Sequence, residues 1–197
     1  MKEVIKLIED VIPELKDGER FLLGIDGLSR AGKTNITKQL EQFLQERDIP
    51  YVVFHIDDFI ETRKKRYHTG YEQWEEYYYL QWDVESLRKN LFEPCKSASF
   101  LKLPYYDSEK DQQLLKKSYL PLTGIILVEG VFLQREIWRD YFDYVVYIEA
   151  SRETRFSREA STIKNQREKF EKRYWKAEEY YLETVGPVQK ANLLIQN

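Results

Sequence analysis

Residues 27–34 read Gly-Leu-Ser-Arg-Ala-Gly-Lys-Thr, a full match to the pattern G-x-x-x-x-G-K-S/T. This spacing suits the binding of phosphate. Gly27 and Gly32 allow the backbone through Ser29, Arg30 and Ala31 to curl, so that N–H groups surround an anion. The N-terminus of a following helix adds its positive dipole end. Lys33 can then reach the outer phosphates of a nucleotide, and the Thr34 hydroxyl can take a place on Mg²⁺. Average residue usage puts a chance match at about one chain in a hundred or fewer. Other acids close apolar runs further along: Asp57 and Asp58 follow Tyr51 to Ile56, and Glu129 follows Gly124 to Val128.

These residues need elements to position them. Val4, Leu7, Ile8, Val11, Ile12 and Leu15 recur at helical spacing and predict an opening amphipathic helix, broken at Asp17-Gly18. Phe21 to Ile25 reads as a buried strand. Lys33 to Arg47 has helical periodicity through Ile36, Leu40, Phe43 and Leu44. The phosphate-binding turn therefore has the strand before it and the helix after it that its chemistry requires. Tyr51 to Ile56, Gly124 to Val128 and Tyr144 to Ile148 read as further strands, with a short last one at Asn192 to Ile195. Helices are expected at Tyr71 to Tyr79 and Val84 to Leu91, then a hairpin-like stretch near Phe100 to Tyr106. From Ser151 the chain reads as two charged helices separated near Gln166 and stopped at Gly186-Pro187. Alternating strands and helices predict a three-layer α/β fold with a mostly parallel central sheet and helices on both faces. Ligands of such sheets bind at the carboxyl ends of the strands, where the turn, Asp57 and Glu129 all fall. The expected organisation is one domain over 1–197, with a small acceptor-binding insertion at about 60–122 and a helical lid at about 151–168.

Composition narrows the classes further. A net charge of −3 disfavours nucleic acid as the main partner. The first residues carry acids within their apolar pattern and lack a signal-peptide core, and no apolar run has the length of a membrane span. The single cysteine, Cys95, excludes an internal disulfide framework and suits a reducing compartment, so a cytoplasmic protein is expected. The D-x-x-G and N-K-x-D signatures of switch GTPases do not occur, and a transporter-type ATPase needs a signature loop and more length. A small-molecule kinase remains, with a regulatory module that binds nucleotide without an acceptor as the rival.

Gly24-Ile25-Asp26-Gly27 leading into the turn, His55-Ile56-Asp57-Asp58-Phe59 and Val128-Glu129-Gly130 together resemble the uridine kinase and phosphoribulokinase superfamily of P-loop kinases. Gln81-Trp82-Asp83, Pro104-x-Tyr106-Asp107 and the arginine-bearing stretch Arg152 to Arg158 fall in the matching order, so the resemblance spans about residues 20–160. It implies ATP and Mg²⁺ as cofactors and a small hydroxylated metabolite as acceptor, most simply a nucleoside. Asp57 matches the family's catalytic base, and Asp58 stands where the family varies. Thr34, Glu129 and Asp57 match positions around the metal. Lys33 and the lid arginine Arg158 would stabilise the transferring charge, with Arg155 beside the nucleotide. Asp83, Tyr106 and Asp107 match positions facing the acceptor. Relatives are often oligomeric, which the aromatic content permits.

Each role has a plain structural competitor. Asp57 and Asp58 can be loop acids or helix caps, and Asp83 can cap the helix at Val84. Arg152, Arg155, Arg158 and Arg167 can pair with Glu153, Glu159 and Glu168 on a solvated face. Tyr71, Trp74 and Tyr78 share a stripe that suits a core or dimer contact better than a base-stacking platform. The basic run Arg63 to Arg66 reads as a solvated loop, with attraction of an anionic substrate as the competing role. Two departures put uridine itself in doubt. Glu109-Lys110-Asp111 stand where uridine kinases carry a histidine, and Thr162-Ile163 replace an Arg-Asp pair in the lid. Another nucleoside, pantothenate or a different hydroxylated metabolite stays open.

Overall fold

The computed structural model describes residues 2–159 and 167–197. The chain runs α1 (Lys2–Glu9), β1 (Arg20–Gly27), α2 (Lys33–Glu46), β2 (Tyr51–His55), a 3₁₀ turn (Ile56–Phe59), α3 (Arg63–Arg66), α4 (Gln73–Tyr79) and α5 (Val84–Leu87). A π-helical turn at Arg88–Phe92 leads into β3 (Phe100–Asp107), β4 (Gln112–Tyr119), β5 (Gly124–Gly130), α6 (Glu136–Arg139), β6 (Tyr144–Glu149) and α7 (Arg152–Ser157). Then come α8 (Arg167–Lys169), a π-helical turn (Phe170–Trp175), α9 (Lys176–Val185), α10 (Pro187–Lys190) and β7 (Leu193–Gln196).

Five strands form a wholly parallel sheet in the order β2-β5-β1-β6-β7. β5 reads Gly-Ile-Ile-Leu-Val-Glu-Gly and is buried along its whole length, as a strand covered on both faces must be. Alternate side chains feed two cores. Leu23, Ile25, Ile125, Leu127, Val146 and Ile148 pack against Ile36, Leu40, Phe43 and Leu44 of α2 and against Ile8 of α1. Leu22, Ile126, Val128 and Val145 pack on the other face with Phe92, Trp138 and Tyr181. The helical and alternating periodicities of the sequence therefore meet at the sheet. Each fully buried aliphatic side chain contributes about 1.5–3 kcal/mol relative to exposure.

The differences from the sequence reading have local causes. The hairpin expected near Phe100 is real, but its second strand was not evident, because Gln-Gln-Leu-Leu-Lys-Lys-Ser-Tyr does not alternate. Leu101 and Leu103 reach the core, while Leu115 and Tyr119 are exposed. The helix from Val84 passes into a π turn. Arg63 to Arg66 form a short helix rather than a loop, and Arg66 is buried. Trp74 and Tyr78 pack against Tyr180 at ring separations of 5.0 and 4.9 Å, whereas Tyr71, the first member of the aromatic stripe, is exposed. Gly186 ends α9 in the left-handed conformation at φ 64°, and Pro187 starts α10. Gln166, Thr162 and Ile163 lie outside the described residues. Among those described, no helix is long and apolar enough to cross a membrane.

At the end of β5, Gly130 faces Ile56, the residue before Asp57, and a Cβ there would overlap the isoleucine side chain. Gly130→Ala should lower stability by about 1–3 kcal/mol through overpacking. Chemical denaturation checks this, and an unchanged midpoint would contradict the close approach.

Candidate active site

Residues 27–32 pass from β1 to α2 with φ of 150° at Gly27, 61° at Arg30 and 105° at Gly32. A Cβ at Gly27 would lie 2.5 Å from the Ile148 carbonyl oxygen, so only glycine fits there. Side chains capture the carbonyls of this turn. Leu28 O accepts from Lys33 Nζ at 3.0 Å and Ser29 O from Arg155 Nη1 at 3.1 Å. Arg30 O and Ala31 O accept from Arg158 Nη1 at 3.0 and 3.2 Å, and Ala31 O also from Asn197 Nδ2 at 2.6 Å. The Ala31 N–H is spent on Leu28 O. By contrast, the N–H groups of Arg30, Gly32, Lys33 and Thr34 take no acceptor among the described residues. Backbone amides left unclaimed in a turn at a helix N-terminus make an anion nest.

Lys33, Thr34, Asp57, Glu129 and Arg158 line a single cavity of about 560 Å³, with Ser29, Arg30 and Gly32 on the turn side. Gly27 and Ala31 shape the turn without lining that cavity. The parallel register explains how residues so distant in the chain converge. His55 of β2 and Ile25 of β1 both pair with Glu129, so the ends of three strands lie side by side. In the 3₁₀ turn after β2, Ile56 and Phe59 are buried, which turns Asp57 and Asp58 outward. Trp82 Nε1 fixes the turn by donating to Ile56 O at 2.8 Å.

Electrostatics distinguish the acids. Asp57 presents its carboxyl to solvent on the floor of a concave cleft. Desolvation by the surrounding protein raises its pKa, Glu129 and Asp58 add to the rise, and Lys33 and His55 oppose it. Glu129 is buried, and its Oε2 lies 2.7 Å from His55 Nδ1. That hydrogen bond is the main reason the His55 pKa is raised from 6.5. The donors fit a hard cation: Thr34, Asp57 and Glu129 supply oxygen. Among the described residues no three acidic, histidine or cysteine side chains cluster at metal-binding spacing. Mg²⁺ commonly binds through one or two carboxylates and completes its shell with phosphate oxygens and water.

Other residues expected in the site engage protein partners. Arg155 does not line the cavity; it is buried and its Nη1 lies 2.9 Å from both carboxylate oxygens of Glu178. Asp107 closes the β3–β4 turn, accepting from the N–H groups of Glu109 and Lys110. The Tyr106 hydroxyl donates to Asp111 at 2.8 Å and accepts from Arg66 at 3.1 Å. Asp83 caps α5 through Ser86 N, yet also borders a second cavity of about 340 Å³ with Glu61, Lys65 and Gln113. Arg167 pairs with Glu171 on an exposed face. The Cys95 thiol is pushed up to about 11 by burial, which suits a structural role.

Four participants escaped the sequence reading: Glu178, Asn197, the His55 link and Tyr77. Burial drives the Tyr77 hydroxyl pKa far up, and the Asp57 charge adds to it. Glu178, Asn197 and Tyr77 lie in no motif, whereas His55 opens the stretch His55 to Phe59. His55 and Glu129 both end apolar runs, but nothing in the sequence pairs them. The His55 pKa, followed by NMR, should lie above 6.5 in the intact protein and fall in Glu129→Ala. A value unmoved by the substitution would rule out the contact.

No family model matches the chain. A solved structure from Bacillus stearothermophilus, described as that of a possible uridine kinase, is 46% identical, with a TM-score of 0.86 and 98% of both chains covered. A uridine kinase of Borreliella burgdorferi (strain ZS7) is 25% identical over 144 residues, covering 70% of this chain and 64% of that one. Uridine-cytidine kinase C of Dictyostelium discoideum is 25% identical over 138 residues, covering 70% of this chain and 28% of that protein. The match thus spans less than two thirds of either curated relative. Near-complete coverage of both chains at 46% identity, with a TM-score of 0.86, settles the family. The chain belongs to the uridine kinase-like family of P-loop kinases.

Proposed function

We propose that the protein transfers the γ-phosphoryl group of ATP to a hydroxyl of a small metabolite, with Mg²⁺. The observation that carries this reading is the convergence of Lys33, Thr34, Asp57, Glu129 and Arg158 on one cavity beside the amide nest. A nest and a lysine hold phosphates. A carboxylate with a raised pKa on the cleft floor is placed to accept a hydroxyl proton. Bound Mg²⁺ would gather phosphate charge, with Thr34 and Glu129 as its protein contacts and Asp57 close by. Arg158 already holds two carbonyls of the turn while facing the cavity, so it can follow the phosphates without a long excursion. These residues position and orient the reactants and offer fixed charge where negative charge moves.

A nucleoside acceptor is supported by the names of the relatives and by Asp83, whose carboxylate borders the second cavity. A non-nucleoside acceptor such as pantothenate is favoured by the hairpin. There Asp111 occupies the Tyr106 hydroxyl, and Arg66 lies 5.1 Å from the Tyr106 ring. A cytoplasmic protein that handles neither nucleic acid nor membrane, and that self-associates, accords with the composition.

ADP release with Mg·ATP, screened over nucleosides and other hydroxylated metabolites, tests the proposal. Stimulation by an added hydroxyl compound is expected. Turnover indifferent to every acceptor, with nucleotide still bound, would favour a regulatory nucleotide-binding module. Asp57→Asn should reduce transfer by about 10²–10⁴-fold, the usual contribution of a general base, while ATP affinity stays near wild type. The sign of the pH dependence follows from the raised Asp57 pKa. Base catalysis needs the carboxylate, so kcat/KM should rise with pH through a midpoint above 3.8, the ordinary aspartate value. A profile flat across that acid limb would remove Asp57 from the role.

A further inference from the structure

We infer that Glu178 and Arg155 are positioning residues for the phosphate-binding turn, a buried ion pair that grips Ser29 by both its N–H and its C=O. Ser29 N donates to Glu178 Oε1 at 3.2 Å, and Ser29 O accepts from Arg155 Nη1 at 3.1 Å. The same guanidinium nitrogen reaches both oxygens of Glu178 at 2.9 Å, and Arg155 Nε is anchored on Ala150 O at 3.2 Å. Side-chain exposures of 7% and 3% exclude water from the pair.

One residue of the turn is thus fixed in orientation from the side that does not receive phosphate. The grip continues along α9. Tyr181, three residues after Glu178 and on the same helix face, donates to Asp26 Oδ2 at 2.6 Å, and Asp26 Oδ1 accepts from Gly27 N at 2.8 Å. Residues 26, 27 and 29 are therefore tied to one face of α9, while Arg155 brings in α7.

The inference rests on reading the turn as the phosphate site. A buried ion pair is by itself weak evidence for stability, because its desolvation offsets the attraction. What distinguishes this pair is that both members also bond to a single residue of the phosphate-binding turn. A turn with three positive φ values has other shapes open to it once its carbonyls are released. Apparent affinity falls by the fraction of molecules that hold the receptive shape. The pair raises that fraction before nucleotide arrives. This role replaces direct phosphate contact as the part played by Arg155.

Glu178→Gln, Arg155→Met and the double variant test it by three readouts. These are Mg·ADP affinity by calorimetry, thermal stability, and hydrogen exchange of amides 28–33 in nucleotide-free protein. Each single variant should weaken Mg·ADP binding by roughly tenfold, the loss expected if about one molecule in ten keeps the receptive turn. The double variant should be no weaker than either single, as members of one unit behave. Amides 28–33 should exchange faster while those of β5 do not.

A folded Glu178→Gln protein with lowered melting temperature but unchanged affinity and exchange would make the pair mere packing, and would overturn the inference. So would loss of Mg·ATP but not Mg·ADP affinity in Arg155→Met with Glu178→Gln unaffected, which would mark Arg155 as a direct γ-phosphate ligand. Should Glu178→Gln fail to fold, Arg155→Lys, which keeps the charge without the forked geometry, carries the same comparison. If the wild type binds no nucleotide, the phosphate-site reading fails, whereas the exchange data still judge the grip on Ser29.

Discussion

A turn that aims its amides at an anion must dispose of its carbonyls. In this protein every carbonyl from Leu28 to Ala31 is taken by a side chain: Lys33, Arg155, Arg158 and Asn197. Three of those four donors come from the last third of the sequence. The rest of the architecture follows from that requirement. β1 must deliver the turn beside β6, α2 must begin at Lys33, and α7 must return its arginines to the turn. The close contact of Gly27 with Ile148 shows how little space remains. An anion nest built in this way is organised before ligand arrives, which is the condition for electrostatic stabilisation without reorganisation during the reaction.

Parallel pairing supplies the second half of the site. The order β2-β5-β1 places strand ends together whose residues are far apart in the chain. His55 and Glu129 are register partners and hydrogen-bonded neighbours. Asp57 follows two residues later on a turn whose apolar members, Ile56 and Phe59, are drawn into the core. Burying the strand fixes the acid above it. A change of packing below the site, as at Gly130, is therefore felt at the proposed base.

Buried charge is concentrated where the segment after residue 167 meets the rest of the protein. Arg173 pairs with Glu76 at 3.1 Å and Glu178 with Arg155, while Tyr181 bonds to the buried Asp26. Arg135, also buried, has no carboxylate partner among the described residues and lies 4.0 Å from the Tyr78 ring centroid. Such groups cost free energy to desolvate and tolerate few alternative arrangements, because each unmatched partner would be left unpaired. They specify how the late helices seat against α4 and the turn, and the apolar contacts hold the seated arrangement.

The five strands of the parallel sheet, the helix that begins at Lys33 and the phosphate-binding turn were legible in the sequence. They depend on local periodicity and on residue types at short spacing, and the 46% identical structure shares the fold they imply. Asp57 and Glu129 were legible as strand-end acids because the runs before them are so apolar. Other features depend on which strands neighbour one another and on where a late helix lands. Neither His55 nor Glu178 announces a partner 74 or 149 residues away. Arg155 read as a nucleotide ligand because helical spacing gives the direction of a side chain but not what already occupies its path. Asp107 and Tyr106 read as acceptor contacts, yet the hairpin turn and Asp111 engage them first. Sequence determined the chemical groups this protein brings to the carboxyl ends of its strands. Tertiary structure decided which remain free to meet a ligand, since long-range hydrogen bonds and buried ion pairs claim groups that local pattern leaves unassigned.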